Sequence, residues 1–114
     1  MKELELARSC EDLIKYGYVA LRRFPKSERH VLSQELRVSL WRMLRMAVAI
    51  GKRYHKKTTL QDLDIEVELM RRKIRLAMEL EFLPFKQYEV WARHLDEVGR
   101  IVGGWIQRVR LSSG

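Results

Sequence analysis

Residues 97–106 read Glu97-Val98-Gly99-Arg100-Ile101-Val102-Gly103-Gly104-Trp105-Ile106, the middle of a longer segment, Tyr88 to Arg110, whose reading decides the fold. Within that segment Tyr88, Trp91, Leu95, Val98, Val102, Trp105 and Val109 step 3-4-3-4-3-4. Such spacing lays one apolar stripe along a helix that packs on other helices. Yet the same segment holds Gly99, Gly103 and Gly104, and a glycine inside a helix costs about 1 kcal/mol against alanine. A stripe this regular that keeps its glycines implies a gain elsewhere, and close approach of another backbone is the gain expected.

Working outward, three earlier segments carry the same pattern. In a first helix over residues 3–23, Leu6, Cys10, Leu13, Gly17 and Ala20 form the stripe, widened by Ile14 and Leu21. Pro25 ends it by steering Phe24 toward extended geometry. Ser27 is the expected N-cap of a second helix over 28–55, whose stripe is Leu36, Leu40, Met43, Ala47, Ile50 and Tyr54. Thr59 and Asp62 form a variant capping box ahead of a third helix over 60–82, with Leu60, Leu63, Val67, Met70, Ile74 and Ala77 inward. Pro84 stands where a fourth helix, 85–110, begins, a position proline tolerates. Four stripes joined by short connections specify a single all-α domain spanning residues 1–114, an antiparallel up-down-up-down four-helix bundle.

The third helix carries a second apolar line, Ile65, Leu69, Leu76 and Leu83, on positions facing away from its stripe. A repeated outer line calls for a second buried face, which in a four-helix chain means another subunit. Gly99 and Gly103 flank the stripe of the last helix and Gly104 turns further outward. These two surfaces are the expected oligomer interface. Trp91 and Trp105 belong to the core stripe, while Trp41 falls beside the second one, open to a partner.

The formal net charge of +8 and a pI of about 10.0 favour a polyanionic partner, nucleic acid ahead of anionic membrane. No apolar run approaches the roughly 18 residues a membrane-crossing helix needs. Met1-Lys2-Glu3-Leu4-Glu5 lacks the apolar region of a signal peptide, and the single cysteine, Cys10, reads as a core residue in a reducing compartment. A cytoplasmic location is expected. Antiparallel alternation brings the end of helix 2, the start of helix 3 and both termini to one end of the bundle. Lys52, Arg53, Lys56 and Lys57 would there meet Arg108 and Arg110 as a basic end cap. A second group, Arg71, Arg72, Lys73 and Arg75, wraps helix 3, with Glu68 answering position 72. Few acids are expected within reach of either group, so both are candidates for phosphate contact. Lys86, Arg93 and Arg100 recur opposite the stripe of helix 4, but Glu89 and Asp96 precede two of them by four and make that face an ordinary solvated one.

Catalysis finds little support. His30, His55 and His94 lack metal-ligand spacing, and there is neither a glycine-rich phosphate loop nor a nucleophile elbow. No metal, cofactor or catalytic residue is expected. Arg23 and His30 loosely resemble the Arg/His pair of HEPN-type RNases, but a proline-containing loop separates them and the polar residue usual after the arginine is missing.

The order Phe24-Pro25-Lys26 before a long second helix, Leu80 to Tyr88 leading into the fourth, and the closing Gly99-Arg100-Ile101-Val102-Gly103-Gly104-Trp105 resembles the accessory variability determinant (Avd) proteins of diversity-generating retroelements. The match carries Gly99, Arg100, Gly103, Gly104 and Trp105 as the family motif. It implies a non-catalytic, strongly basic subunit of a homopentameric barrel. It further implies partners: the retroelement reverse transcriptase, RNA and DNA, in support of mutagenic retrohoming. The four-helix proteins encoded in 23S rRNA intervening sequences share the fold and much of the Phe-Pro pattern. They are the alternative resemblance, with a structural role.

Overall fold

The computed structural model describes residues 2–113, of which side chains are placed for 4–111. Four helices run α1 Lys2–Leu21, α2 Leu32–Lys52, α3 Lys57–Glu79 and α4 Phe85–Ser113, with one 3-10 turn at Lys26–Glu28. The molecule measures 47 × 21 × 20 Å. Its long axis matches α4, whose 29 residues span ~44 Å at 1.5 Å per residue. Helix α1 packs on α2 and α4, and α3 packs on the same two, whereas the diagonal pairs bring no Cα atoms within 8 Å among the described residues. That cyclic order is the up-down-up-down bundle expected from the four stripes.

The stripes are the core. Every stripe residue expected on α1 and α3 is buried, as are Leu36, Leu40, Met43, Ala47 and Ile50 on α2 and Trp91, Leu95, Val98 and Val102 on α4. Tyr88, Trp105 and Val109 are half-buried against them. Trp91, fully buried, donates its indole N–H to the Leu13 carbonyl at 3.3 Å. Its ring lies so close to α1 that a Cβ at Gly17 would stand 2.9 Å from Trp91 Cζ2 and 2.8 Å from Leu40 Cδ1. Gly17 is therefore where three helices converge, and the absence of a side chain is what lets them. Cys10 is equally enclosed, and burial, with Glu11 adding to it, pushes its thiol up to about 12.

The element ends differ from the sequence reading, each for a local reason. Helix α2 begins at Leu32, not 28. Ser27 lies inside the 3-10 turn, which closes through Glu28 N–H to the Pro25 carbonyl at 2.9 Å, and the residue in the N-cap position of α2 is Val31, with no side-chain cap. At its other end α2 stops at Lys52 because Arg53 is extended, which leaves Tyr54 91% exposed rather than in the stripe. Helix α3 starts at Lys57, three residues early, so Thr59 is a buried member of its first turn rather than a cap; its hydroxyl accepts a hydrogen bond from Arg53 at 2.8 Å. Helix α3 also ends early, at Glu79. Phe82 N–H reaches the Ala77 carbonyl, Glu81 N–H reaches that of Met78, and Glu81 adopts a φ of 66°. This is a Schellman ending with glutamate where glycine is usual. The reversal turns Leu83 inward, leaving it 2% exposed, and Phe82 packs at a tilt against Phe24 across that end of the bundle, centroids 6.1 Å apart.

Candidate nucleic-acid interface

The α2–α3 connection is built by its own cations. Lys56 folds back and donates to the carbonyls of Ile50 and, at 2.8 Å, Arg53, satisfying acceptors that the end of α2 leaves open. Arg53 reaches forward to Thr59. These two side chains thus hold the turn, while Lys52 and Lys57 stand exposed on either side of it. Among the described residues no carboxylate lies within ion-pair distance of Lys52, Arg53, Lys56 or Lys57. Lys57 and Arg110 line one cleft with Leu60, Gln61, Ile106 and Val109, which places the end of α4 against the start of α3. The structure thus brings Lys57 and Arg110 together at that end, beside the turn that carries Lys52, Arg53 and Lys56. Arg108 is at the same end but on the α1 side of α4, its guanidinium 5.0 Å from the Trp105 ring centroid, in a cleft with Glu5 and Arg100.

The α3 group is held differently, and the expectation that few acids reach it fails. Arg71 pairs with Asp96 of α4. Arg72 pairs with Glu68 at 3.2 Å. Lys73 crosses to α2, reaching Glu35 and the Ser39 hydroxyl at 2.9 Å each. That hydrogen bond, with the Lys73 charge behind it, holds the Glu35 carboxyl below its ordinary value. Arg75 is exposed and shares a cleft with Tyr88 and Asp96. Since Asp96 belongs to Arg71, the expected Asp96–Arg100 pair does not form. Arg100 instead binds Glu97 at 2.6 Å and Glu5 of α1 at 3.3 Å, and its hydrogen bond to Glu97 holds that carboxyl low and raises the guanidinium. The expected Glu89–Arg93 pair forms at 3.2 Å.

The outer surfaces separate as well. Ile65, Leu69 and Leu76 are 64%, 42% and 51% exposed along one side of α3, with the exposed Arg72 between the last two. Leu83 does not join them, because the turn described above buries it. Of the motif glycines, Gly99 faces Val67 and Arg71 of α3 within the same chain, whereas a Cβ at Gly103 or Gly104 would meet nothing within 4 Å among the described residues. Arg23 and His30 are both exposed on the α1–α2 connection, His55 is exposed beside Tyr54, and His94 stacks on Tyr16 at 5.6 Å. No helix is long and apolar enough to cross a membrane among the described residues. One cationic group escapes the sequence reading altogether: Arg22, Arg29 and Arg37, scattered in the chain, line one cleft at the opposite end from the cap.

A four-helix bundle this rich in basic residues, with an open glycine-bearing stretch on its last helix, defines a class: small basic helical-bundle proteins. Within that class the chain belongs to the bAvd-like family, whose model matches residues 4–109. The resemblance carried by the closing Gly-Arg-x-x-Gly-Gly-Trp motif thus holds for nearly the whole chain. No curated protein sequence matches it.

Proposed function

We propose that this protein is a non-catalytic accessory subunit of a diversity-generating retroelement, acting as a basic oligomer that brings reverse transcriptase and template RNA or its cDNA together for mutagenic retrohoming. The observation carrying the reading is family membership over residues 4–109, and the α2–α3 turn, where no carboxylate among the described residues pairs with Lys52, Arg53, Lys56 or Lys57, gives it a physical means. Lys52 and Lys57 present charge to solvent while Arg53 and Lys56 hold the turn that displays them. Contacts of this kind read phosphate, so affinity is salt-sensitive and largely indifferent to base sequence. The exposed line Ile65, Leu69 and Leu76, together with the open Gly103–Gly104 face, supplies two apolar or close-approach surfaces for assembly into the pentamer typical of the family.

The test uses purified protein, template-repeat RNA and the reverse transcriptase of the same retroelement. Light scattering at micromolar concentration should give a mass near five subunits. Affinity capture through this protein should recover both polymerase and RNA, the RNA in a salt-dependent manner. A monomer that retains neither partner at moderate salt overturns the reading.

A further inference from the structure

The α1–α2 turn brings the end of α1 and the first turns of α2 to one end of the bundle. Arg22 at the end of α1, Arg29 in the turn and Arg37 one turn into α2 line a single cleft with the buried Ser33 and an apolar wall that includes Phe24 and Pro25. No ion pair to a carboxylate forms at any of the three arginines among the described residues. Three arginines lining one cleft, with no ion-paired acid among the described residues, give it a positive potential that an anion relieves. The start of α2 adds to it, since Val31 supplies no side-chain cap and the first N–H groups of a helix carry partial positive charge. Arg37 continues the feature outward: its guanidinium sits 5.8 Å from the centroid of the Tyr18 ring. The Tyr18 hydroxyl in turn accepts a hydrogen bond from the Trp41 indole at 3.0 Å. That bond fixes an indole that is 52% exposed, an oriented aromatic surface beside an anion cleft.

We propose that this cleft and the Trp41 surface form a single-strand subsite, the arginines gripping a backbone phosphate and Trp41 stacking the adjoining base. It rests on the nucleic-acid reading above but lies at the other end of the ~44 Å bundle from the cap of Lys52 and Lys57, so one strand can engage a subunit at both ends. A phosphate on a lipid headgroup shares the cleft chemistry but offers no base; the pairing of guanidinium with a held aromatic face is what favours nucleic acid.

The test is fluorescence anisotropy with labelled single-stranded oligouridylate, the duplex of equal length, and vesicles containing phosphoinositide as separate probes. Arg22→Gln/Arg29→Gln/Arg37→Gln is expected to weaken oligouridylate binding about tenfold or more, and to reduce the magnitude of its salt slope by ~0.7 for each phosphate released. Trp41→Ala is expected to weaken it about fivefold to a hundredfold, the range of a single base stack, with Trp41→Phe recovering most of the loss and duplex binding little changed. Helical circular dichroism should be unaltered in all of them. If the triple variant binds like the wild type while Lys52→Gln/Lys57→Gln is weakened, the subsite is wrong and the nucleic-acid reading stands. If wild-type protein binds no oligouridylate at all, both fall. Cleft-dependent binding to phosphoinositide vesicles without oligouridylate binding overturns the proposed occupant.

Discussion

The body of the bundle and the end where α2 meets α3 are made of the same materials, glycines on helices and runs of lysine and arginine, and use them in opposite ways. Away from that end, Gly17 lets Trp91 lie against α1, Gly99 faces Arg71, Arg71 is tied to Asp96, and Lys73 to Glu35 and Ser39. There the charges fasten one helix to the next. Toward the end, Gly103 and Gly104 face open space, and Lys52 and Lys57 have no carboxylate within reach among the described residues. A cation already answered by an acid gives little net attraction to phosphate, because its field is largely cancelled at short range. Equal runs of basic residues therefore have unequal capacity to bind, and position in the bundle decides which kind each is.

The contrast is broken most directly through the glycines. Gly17→Leu drives a side chain into the Trp91 ring and Leu40, an overpacking expected to cost about 3 kcal/mol or more, enough to remove much of the folded population in urea titration. A Cβ at Gly103 meets nothing within 4 Å among the described residues; Gly103→Leu should fold normally and impair assembly, visible as a smaller mass in light scattering. Equal stability loss in both would show that Gly103 is packed within the chain after all.

A smaller effect separates buried from exposed ion pairs. Glu66 is 6% exposed and its carboxylate is held by Arg42 at 3.1 Å. Arg42→Ala leaves that acid buried and unanswered and should cost about 1–3 kcal/mol. Arg93→Ala removes an exposed intrahelical pair with Glu89 and should cost under ~1 kcal/mol. Chemical denaturation of the two variants measures the difference, and equal losses would erase the distinction between fastening charges and surface charges.

The smallest effect is in pH. Because Lys73 lowers the Glu35 carboxyl in the folded state, the clasp contributes fully above the unfolded carboxylate value and is lost as pH falls through the folded one. Acidification should therefore lower the thermal midpoint of wild-type protein more than that of Lys73→Gln. An identical acid response in both would show that the clasp adds nothing to folding.

Much of the architecture is legible in the sequence because a 3.6-residue repeat is the direct imprint of burial on one side of a helix. The α1 and α3 stripes match residue for residue. Where the sequence reading fails, the deciding interaction is not local. Nothing in Glu81 announces a left-handed helix ending, a place glycine usually takes, so periodicity carries α3 three residues too far and puts Leu83 on an outer line it does not join. Asp96 lies four residues before Arg100, yet helix rotation points it at Arg71 on α3. The Arg22, Arg29 and Arg37 cleft spans a chain reversal and forms no run. A signal for it exists, since Arg22 directly follows α1 and Arg37 lies in the first turns of α2, so an antiparallel pair brings both to the same end of the bundle.

Most direct as a test is the salt dependence of RNA affinity in two double variants. Lys52→Gln/Lys57→Gln should reduce the magnitude of the slope of log affinity against log salt by ~0.7 for each phosphate no longer neutralised. Arg71→Gln/Lys73→Gln should leave that slope unchanged while lowering stability by about 1–2 kcal/mol, since both pairs are partly exposed and screened. If the second variant flattens the slope and the first does not, the division between charges that bind and charges that fasten is contradicted.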